Sequence, residues 1–295
     1  MAFRSLSIWN ERGCVPISTL TRTTREPLGP VPHLRAPDLA SSTHPKHTLK
    51  VFEHLKKSGV LKVTLGFPDN ESRYLEQLIH SLDRDHGHNL PISHSASRGW
   101  FWDVRPKITN FQTANYQARS ETMQEFAWHT DCSYEVLAPQ YFALHVLQHD
   151  RFGGGTLSLM NVQNLTERLS PETQEALKRK EYQIVTPPEF VKDSNATHIT
   201  VSLLSNNSDG QSIMRFRGDI ITPLTEDAAK AFEELKRAML TAVSNPDVTM
   251  HLAAEELPKQ SVIMLDNRRW LHSRNEVKDP SRHLRRVRWD AILFS

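Results

Sequence analysis

The chain reads as an α+β protein on three observations. Apolar residues recur at helical spacing in two segments before residue 90, with one alternating run between them. Short aromatic and β-branched runs follow between Ile92 and Thr156, and two longer runs close the chain after an excursion that carries helices. Residues 1–47 come first and predict an irregular arm, because Pro16, Pro27, Pro30, Pro32 and Pro37 forbid a long amphipathic helix. Leu49, Phe52 and Leu55 then stand at helical spacing, and Gly59 follows where the helix should end. Leu61, Val63, Leu65 and Phe67 alternate, the period of a strand buried on one face. Behind the capping candidates Asp69 and Asn70, residues Tyr74, Leu75, Leu78, Ile79 and Leu82 restore the helical period.

The runs GWFWDV, FAWHTD and YFALHVL predict strands. Ser170-Pro171 opens one further helix, and Thr225 precedes another that carries Phe232, Leu235 and Met239. Together they predict a helical insertion over about residues 165–260. Strands resume at SVIMLDNRRWL, residues 261–271, and at HLRRVRWDAILF, residues 283–294. A single domain over residues 1–295, with its β core at about 100–295, accounts for this order.

At 24% charged and 38% hydrophobic residues the composition is globular, and a net charge of +2 is too small to imply a polyanionic partner. Two cysteines, Cys14 and Cys132, allow neither a disulfide framework nor a multi-cysteine zinc site, and a reducing compartment fits best. No run of eighteen apolar residues predicts a membrane span, so a soluble, cytoplasmic protein is expected. Arg4, Arg12, Arg22, Arg25 and Arg35 among many Ser and Thr leave a mitochondrial transit peptide as the alternative.

The chemistry concentrates in FAWHTDCSYE. On a strand, residues two apart share a face, so His129 and Asp131 can offer an imidazole nitrogen and a carboxylate oxygen to one ion. Cys132 then points away and reads as a small buried side chain. Two ligands make a weak site, and a third must come from His145, His149, His198, His251, His272 or His283. His272 stands out, because it follows a β-like run and precedes a very basic closing segment. Two histidines and one carboxylate leave the opposite positions of the ion open, the arrangement of non-haem iron(II) oxygenases. Such a centre needs an electron-supplying co-substrate, and Arg282 could grip a far carboxylate as a bidentate fork. On the closing strand Arg282, Leu284, Arg286 and Arg288 would share one face.

These residues give the chain a specific likeness. WHTD at 128–131, GGGT at 153–156, DNRRWLHSR at 266–274 and RHLRR at 282–286 appear in order, and the sequence resembles the TauD/TfdA family of iron(II)/2-oxoglutarate dioxygenases from about residue 100 to the end. The resemblance implies a double-stranded β-helix, or cupin-like jelly roll, flanked by helices. It also implies Fe(II) on His129, Asp131 and His272, with Thr156 and Arg282 on the distal carboxylate of 2-oxoglutarate and O2 as oxidant. The reaction implied is hydroxylation, desaturation or oxidative cyclisation at an unactivated C–H bond, with release of succinate and carbon dioxide.

For the substrate, Arg286 and Glu125 fall near positions that hold substrate groups in taurine dioxygenase, a member of that family. They imply a small acidic or amino-acid-like molecule. Trp102, paired with Trp100 on one strand face, would wall the pocket or meet a cation. The GGGT turn matches no phosphate-binding pattern. Two other readings compete: a non-catalytic jelly-roll binding protein, and a nucleic-acid dealkylase that uses the basic run at 268–288. No nucleic-acid or membrane partner is expected, and a homodimer is left open.

Overall fold

A computed structural model describes residues 27–92, 99–113, 116–191 and 197–294. Cys14 and the arginines before residue 26, on which the transit-peptide alternative rests, lie outside the described residues. The chain opens with β1 (His33–Ala36), a short 3-10 turn, α1 (Pro45–Ser58), β2 (Val60–Leu65) and α2 (Arg73–His86). Strands β3 (Trp102–Val104), β4 (Phe126–His129), β5 (Leu137–Gln148) and β6 (Leu157–Asn161) follow. A long excursion then holds α3 (Val162–Thr166), α4 (Pro171–Lys178), β7 (Tyr182–Val185), β8 (His198–Val201), β9 (Leu204–Asn206), β10 (Ser212–Met214), β11 (Ile221–Pro223) and α5 (Glu226–Ala242). Strands β12 (Thr249–Leu252), β13 (Ser261–Asp266), β14 (Trp270–Arg274) and β15 (His283–Leu293) complete the order.

Two sheets carry the core, one ordered β1-β2-β13-β5-β15-β3 and the other β12-β6-β14-β4. From β4 to β6, and again from β12 to β15, each successive strand joins the opposite sheet. That alternation is the winding of a double-stranded β-helix. Phe142 and Leu144 from β5, Leu159 from β6 and Ile263 from β13 meet in one apolar cluster, so the sheets bury facing surfaces. The other face of the larger sheet is covered by α1 and α2, whose Val51, Leu55, Leu75, Leu78 and Leu82 pack on Val262, Met264 and Trp289. Strand β13 is therefore buried on both sides, and its sequence shows an apolar run rather than alternation.

Local rules explain where the elements stop. Gly59 ends α1 at φ +66°, in the left-handed region that glycine adopts freely. Asp69 caps α2, its Oδ1 accepting from the N–H of Arg73 at 2.9 Å and its Oδ2 from that of Tyr74 at 2.9 Å. Asn70 does not cap the helix; its carbonyl accepts from Arg285. Asp69→Ala is expected to destabilise the protein by about 1–2 kcal/mol, as loss of a helix cap does. An unchanged denaturation midpoint would refute that cap.

Several expectations need correction. The arm is regular from residue 33, because β1 pairs in parallel with β2 and both extend the larger sheet, so the β core begins before residue 100. In α1 the buried stripe is Thr48, Val51 and Leu55, whereas Leu49 is 44% exposed. Leu49, Val51 and Phe52 crowd one turn, and the face carrying Val51 meets the sheet. Trp100 and Trp102 do not share a face: Trp100 lies in a turn and packs toward the helices, while Trp102 faces the core between the sheets.

The insertion is mixed rather than helical. Its strands form a β11-β7-β8 sheet and a β9–β10 pair that pack with Phe232, Leu235 and Met239 of α5. Runs of three or four residues are too short to display a period. The helices at Pro171 and behind Thr225 form as expected, each capped by its Ser170 or Thr225 hydroxyl. The run SVIMLDNRRWL is two strands on two sheets. Asp266 Oδ1 accepts from the N–H of Arg268 at 2.9 Å and of Arg269 at 3.1 Å, which turns the chain between them. No described helix is long and apolar enough to cross a membrane.

Candidate metal centre

Antiparallel pairing of β14 with β4 sets His272 opposite His129, with ring centroids 4.1 Å apart. Strand β4 ends at His129, so Asp131 does not share its strand face, contrary to expectation, but sits in the turn that follows. Cys132, at φ +55°, continues that turn. Asn267 fixes it: its Oδ1 accepts from the Asp131 N–H at 2.7 Å, and its Nδ2 donates to the carbonyls of Asp131 and Pro139, each at 2.9 Å. The result brings Asp131 Oδ1 to 3.7 Å from His129 Nε2 and 3.8 Å from His272 Nε2. One donor atom from each of these three buried residues lies within 4.8 Å of the others.

The protonation states suit a cation. His129 Nδ1 donates to the carbonyl of Ala127 at 2.8 Å, which leaves the Nε2 lone pair facing the centre. Burial, followed by the neighbouring His272, pushes the His129 pKa well below the ordinary range, so the ring is neutral. Burial alone would raise the Asp131 pKa, but Arg286, then the hydrogen bond with His272, hold it well below the usual carboxylate range. Arg286 Nη1 donates to Asp131 Oδ1 at 3.0 Å. Asp131 Oδ2 is buried with no partner among the described residues, a cost of about 1–3 kcal/mol that a bound cation would remove. The neutral imidazole of His129, a second imidazole nitrogen from His272 and one charged carboxylate oxygen therefore fit a divalent transition metal.

A second, anion-seeking feature lies at the start of β15. Arg282 precedes that strand by one residue rather than lying on it, and is 5% exposed. Burial, then repulsion by Arg274, lowers its pKa to about 9, so it stays charged at neutral pH. Its Nη1 is buried without a partner among the described residues, and its Nη2 reaches only the Gly155 carbonyl, at 3.4 Å. A Cβ on Gly155, at φ +65°, would stand 2.6 Å from Arg282 Nε, so only glycine lets the GGGT turn lie against the guanidinium. Thr156 follows directly, its N–H donating to Asn275 Oδ1 at 2.7 Å as β6 begins.

The remaining candidates fall elsewhere. His145 bonds Ser72, His251 bonds Ser158 and the Val243 carbonyl, and His283 bonds Asp103. Cys132 is buried and accepts a hydrogen bond from Arg288. Trp102 donates from Nε1 to Ser120 Oγ at 3.0 Å and stands behind the cavity wall. Glu125 is exposed and lines neither cavity at the centre.

A cavity of about 30 Å³, room for about one water, touches His129, Asp131 and Arg286. A groove of about 960 Å³ adjoins it. Arg119, Phe126, Glu189 and Arg217 line both. Of these, Phe126 stacks on the His129 ring at 3.7 Å. Phe126 opens the FAWHTDCSYE stretch, but Arg119, Glu189 and Arg217 carry no sequence motif, and the last two come from the excursion, so nothing in the sequence marks those three.

A double-stranded β-helix with two histidines on one of its sheets and a carboxylate in the adjoining turn is the frame of a non-haem metal oxygenase. The family model described as "Taurine catabolism dioxygenase TauD, TfdA family" matches residues 26–288, and the chain belongs to this dioxygenase family. No curated protein matches the chain. Among solved structures, an asparagine oxygenase in complex with Fe(II), 2S,3S-3-hydroxyasparagine and succinate is similar at 17% identity and a TM-score of 0.64, over 87% of this chain and 85% of that one. The non-heme iron oxygenase OrfP in complex with Fe is similar at 15% identity and a TM-score of 0.63, over 88% of this chain and 94% of that one. OrfP with Fe and alpha-ketoglutaric acid gives 17% and 0.60, over 86% and 84%. At these identities the likeness establishes the fold, the α+β jelly roll that the resemblance implied.

Proposed function

We propose that the protein is an iron(II)- and 2-oxoglutarate-dependent dioxygenase that oxidises an unactivated C–H bond of a small polar substrate. The observation that carries this reading is the Oδ2 of a charged, buried Asp131, without a partner among the described residues and beside two histidine nitrogens. His129, Asp131 and His272 would hold the iron, which with O2 and 2-oxoglutarate supplies the oxidising power as the co-substrate is decarboxylated. Ala127 and Asn267 set the ring and the turn from which His129 and Asp131 act. Arg282, with Thr156 beside it, would take the distal carboxylate of 2-oxoglutarate, because its free Nη1 calls for an anion. Arg286 orients Asp131 and keeps a buried, unpartnered Nε for an acidic group.

Two observations favour a small molecule over nucleic acid. The asparagine oxygenase structure holds a hydroxyasparagine, and one OrfP structure holds (3S)-hydroxy-L-Arg with Fe and succinate. Here Arg268, Arg274, Arg282, Arg286 and Arg288 are all buried, so most of the basic run is not a surface footprint. A cytoplasmic location is proposed on the cysteine usage alone.

Anaerobic addition of Fe(II) and 2-oxoglutarate is expected to produce the weak visible charge-transfer band of the chelate. Admission of air should then release succinate slowly even without substrate. A protein that gives neither would be a binding module on the same fold.

A further inference from the structure

We propose that Glu189 is the ammonium-binding residue of the substrate site, so that the substrate is a small amino acid with a free amine. The inference rests on the dioxygenase reading and concerns a residue that no motif marks.

Glu189 lies in a short turn, Pro188–Phe190, between β7 and β8. Phe190 pins that turn by stacking on Tyr134, with centroids 5.6 Å apart and planes 11° from parallel. The half-buried carboxylate thereby lines both the inner cavity and the outer groove. Every other acid at these cavities is already engaged. Asp131 is bound by Arg286, and Asp219 takes both forks of Arg217 at 3.0 and 3.1 Å. Glu121, fully buried, accepts from the N–H groups of Gln112 and Ala118 and lies 3.9 Å from Lys107. Glu189 alone has no ion-pair or hydrogen-bond partner among the described residues.

None of the cations around the inner cavity pairs with it. Arg217 is held by Asp219 and lies over the Phe126 ring at 5.6 Å, Arg286 is on Asp131, and Arg288 is on Cys132. Arg119 is drawn toward Gln124 and the Glu125 carbonyl. An unpaired carboxylate beside a rim of guanidiniums, of which Arg286 keeps an Nε without a partner among the described residues, is best completed by a mobile cation that also carries a negative group. A zwitterion meets both needs, with its ammonium on Glu189 and its carboxylate toward the arginines. One acid without a second beside it makes a poor metal site, which favours an amine. Glu189 thus stands at the cavities that the exposed Glu125, a substrate contact by the family resemblance, does not line.

The test uses the full-length protein with Fe(II) and 2-oxoglutarate under anaerobic conditions. The twenty standard L-amino acids and their N-acetyl counterparts are titrated while the charge-transfer band is followed. At least one free amino acid should shift the band and stimulate succinate release in air, and its N-acetyl form should bind at least about tenfold more weakly. Glu189→Gln should weaken that amino acid by about 10- to 100-fold and erase the discrimination. Affinity for 2-oxoglutarate should stay unchanged in the variant, which also reports that it is folded, and Glu189→Asp should keep the preference for the free amine. A band that no amino acid shifts, equal binding of acetylated forms, or undiminished discrimination in Glu189→Gln would each overturn the proposal while leaving the dioxygenase reading intact. Failure of the wild type to form the band would instead sink that reading, and the inference with it.

Discussion

His272→Ala and His129→Ala should each fold, yet give no charge-transfer band with Fe(II) and 2-oxoglutarate. Turnover should fall by on the order of 10³-fold or more, since the lost metal supplies several kcal/mol of activation at about 1.4 kcal/mol per decade. The fold should survive because the two strands meet through backbone pairing at residues 272 and 129, which alanine preserves. Asp131→Ala is a poorer test. It strips Arg286 of its acceptor and leaves a buried guanidinium uncompensated, so a structural failure could mimic a lost ligand. Retention of the band in both histidine variants would remove these residues from the centre.

Arg282→Met should separate binding from stability. Loss of a buried charge that meets a carboxylate costs about 2–5 kcal/mol of binding, so 2-oxoglutarate affinity should drop by at least about 30-fold. The ligand-free protein should become more stable, not less. Burial and Arg274 depress the Arg282 pKa, which means that the folded state disfavours the charged form it carries at neutral pH, and an apolar side chain of similar length relieves that cost. In the wild type 2-oxoglutarate should raise Tm by binding only the folded state, and in the variant it should not. A lower ligand-free Tm together with unchanged affinity would show that Arg282 is a structural residue.

How far the sequence could be read depends on the range of the forces involved. The helix Arg73–His86 was legible because five apolar residues at helical spacing, all fully buried, leave one solution for its inner face. The grouping of His129, Asp131 and His272 was legible through motifs, although the strand argument for Asp131 was wrong in detail. A turn held from Asn267, distant in sequence, does what strand alternation was expected to do. The break within SVIMLDNRRWL was hidden because the apolar residues continue on both sides of Asp266, and only its bonds to Arg268 and Arg269 reveal the turn. Glu189 and Arg217 were invisible for another reason: their meaning comes from what is near them, and they reach the cavity from an excursion whose short strands show no pattern.

The bridge from Asn267 to the turn of Asp131 has a consequence for synthesis. While the polypeptide emerges from the ribosome, the first histidine and the carboxylate appear long before the amide that orders their loop and the imidazole that faces them. If these residues hold the iron, an unfinished product would offer it two loose donors and no shelter. Its capture would wait until residues 267 and 272 had been made, and a polypeptide terminated before them would have nowhere to keep it.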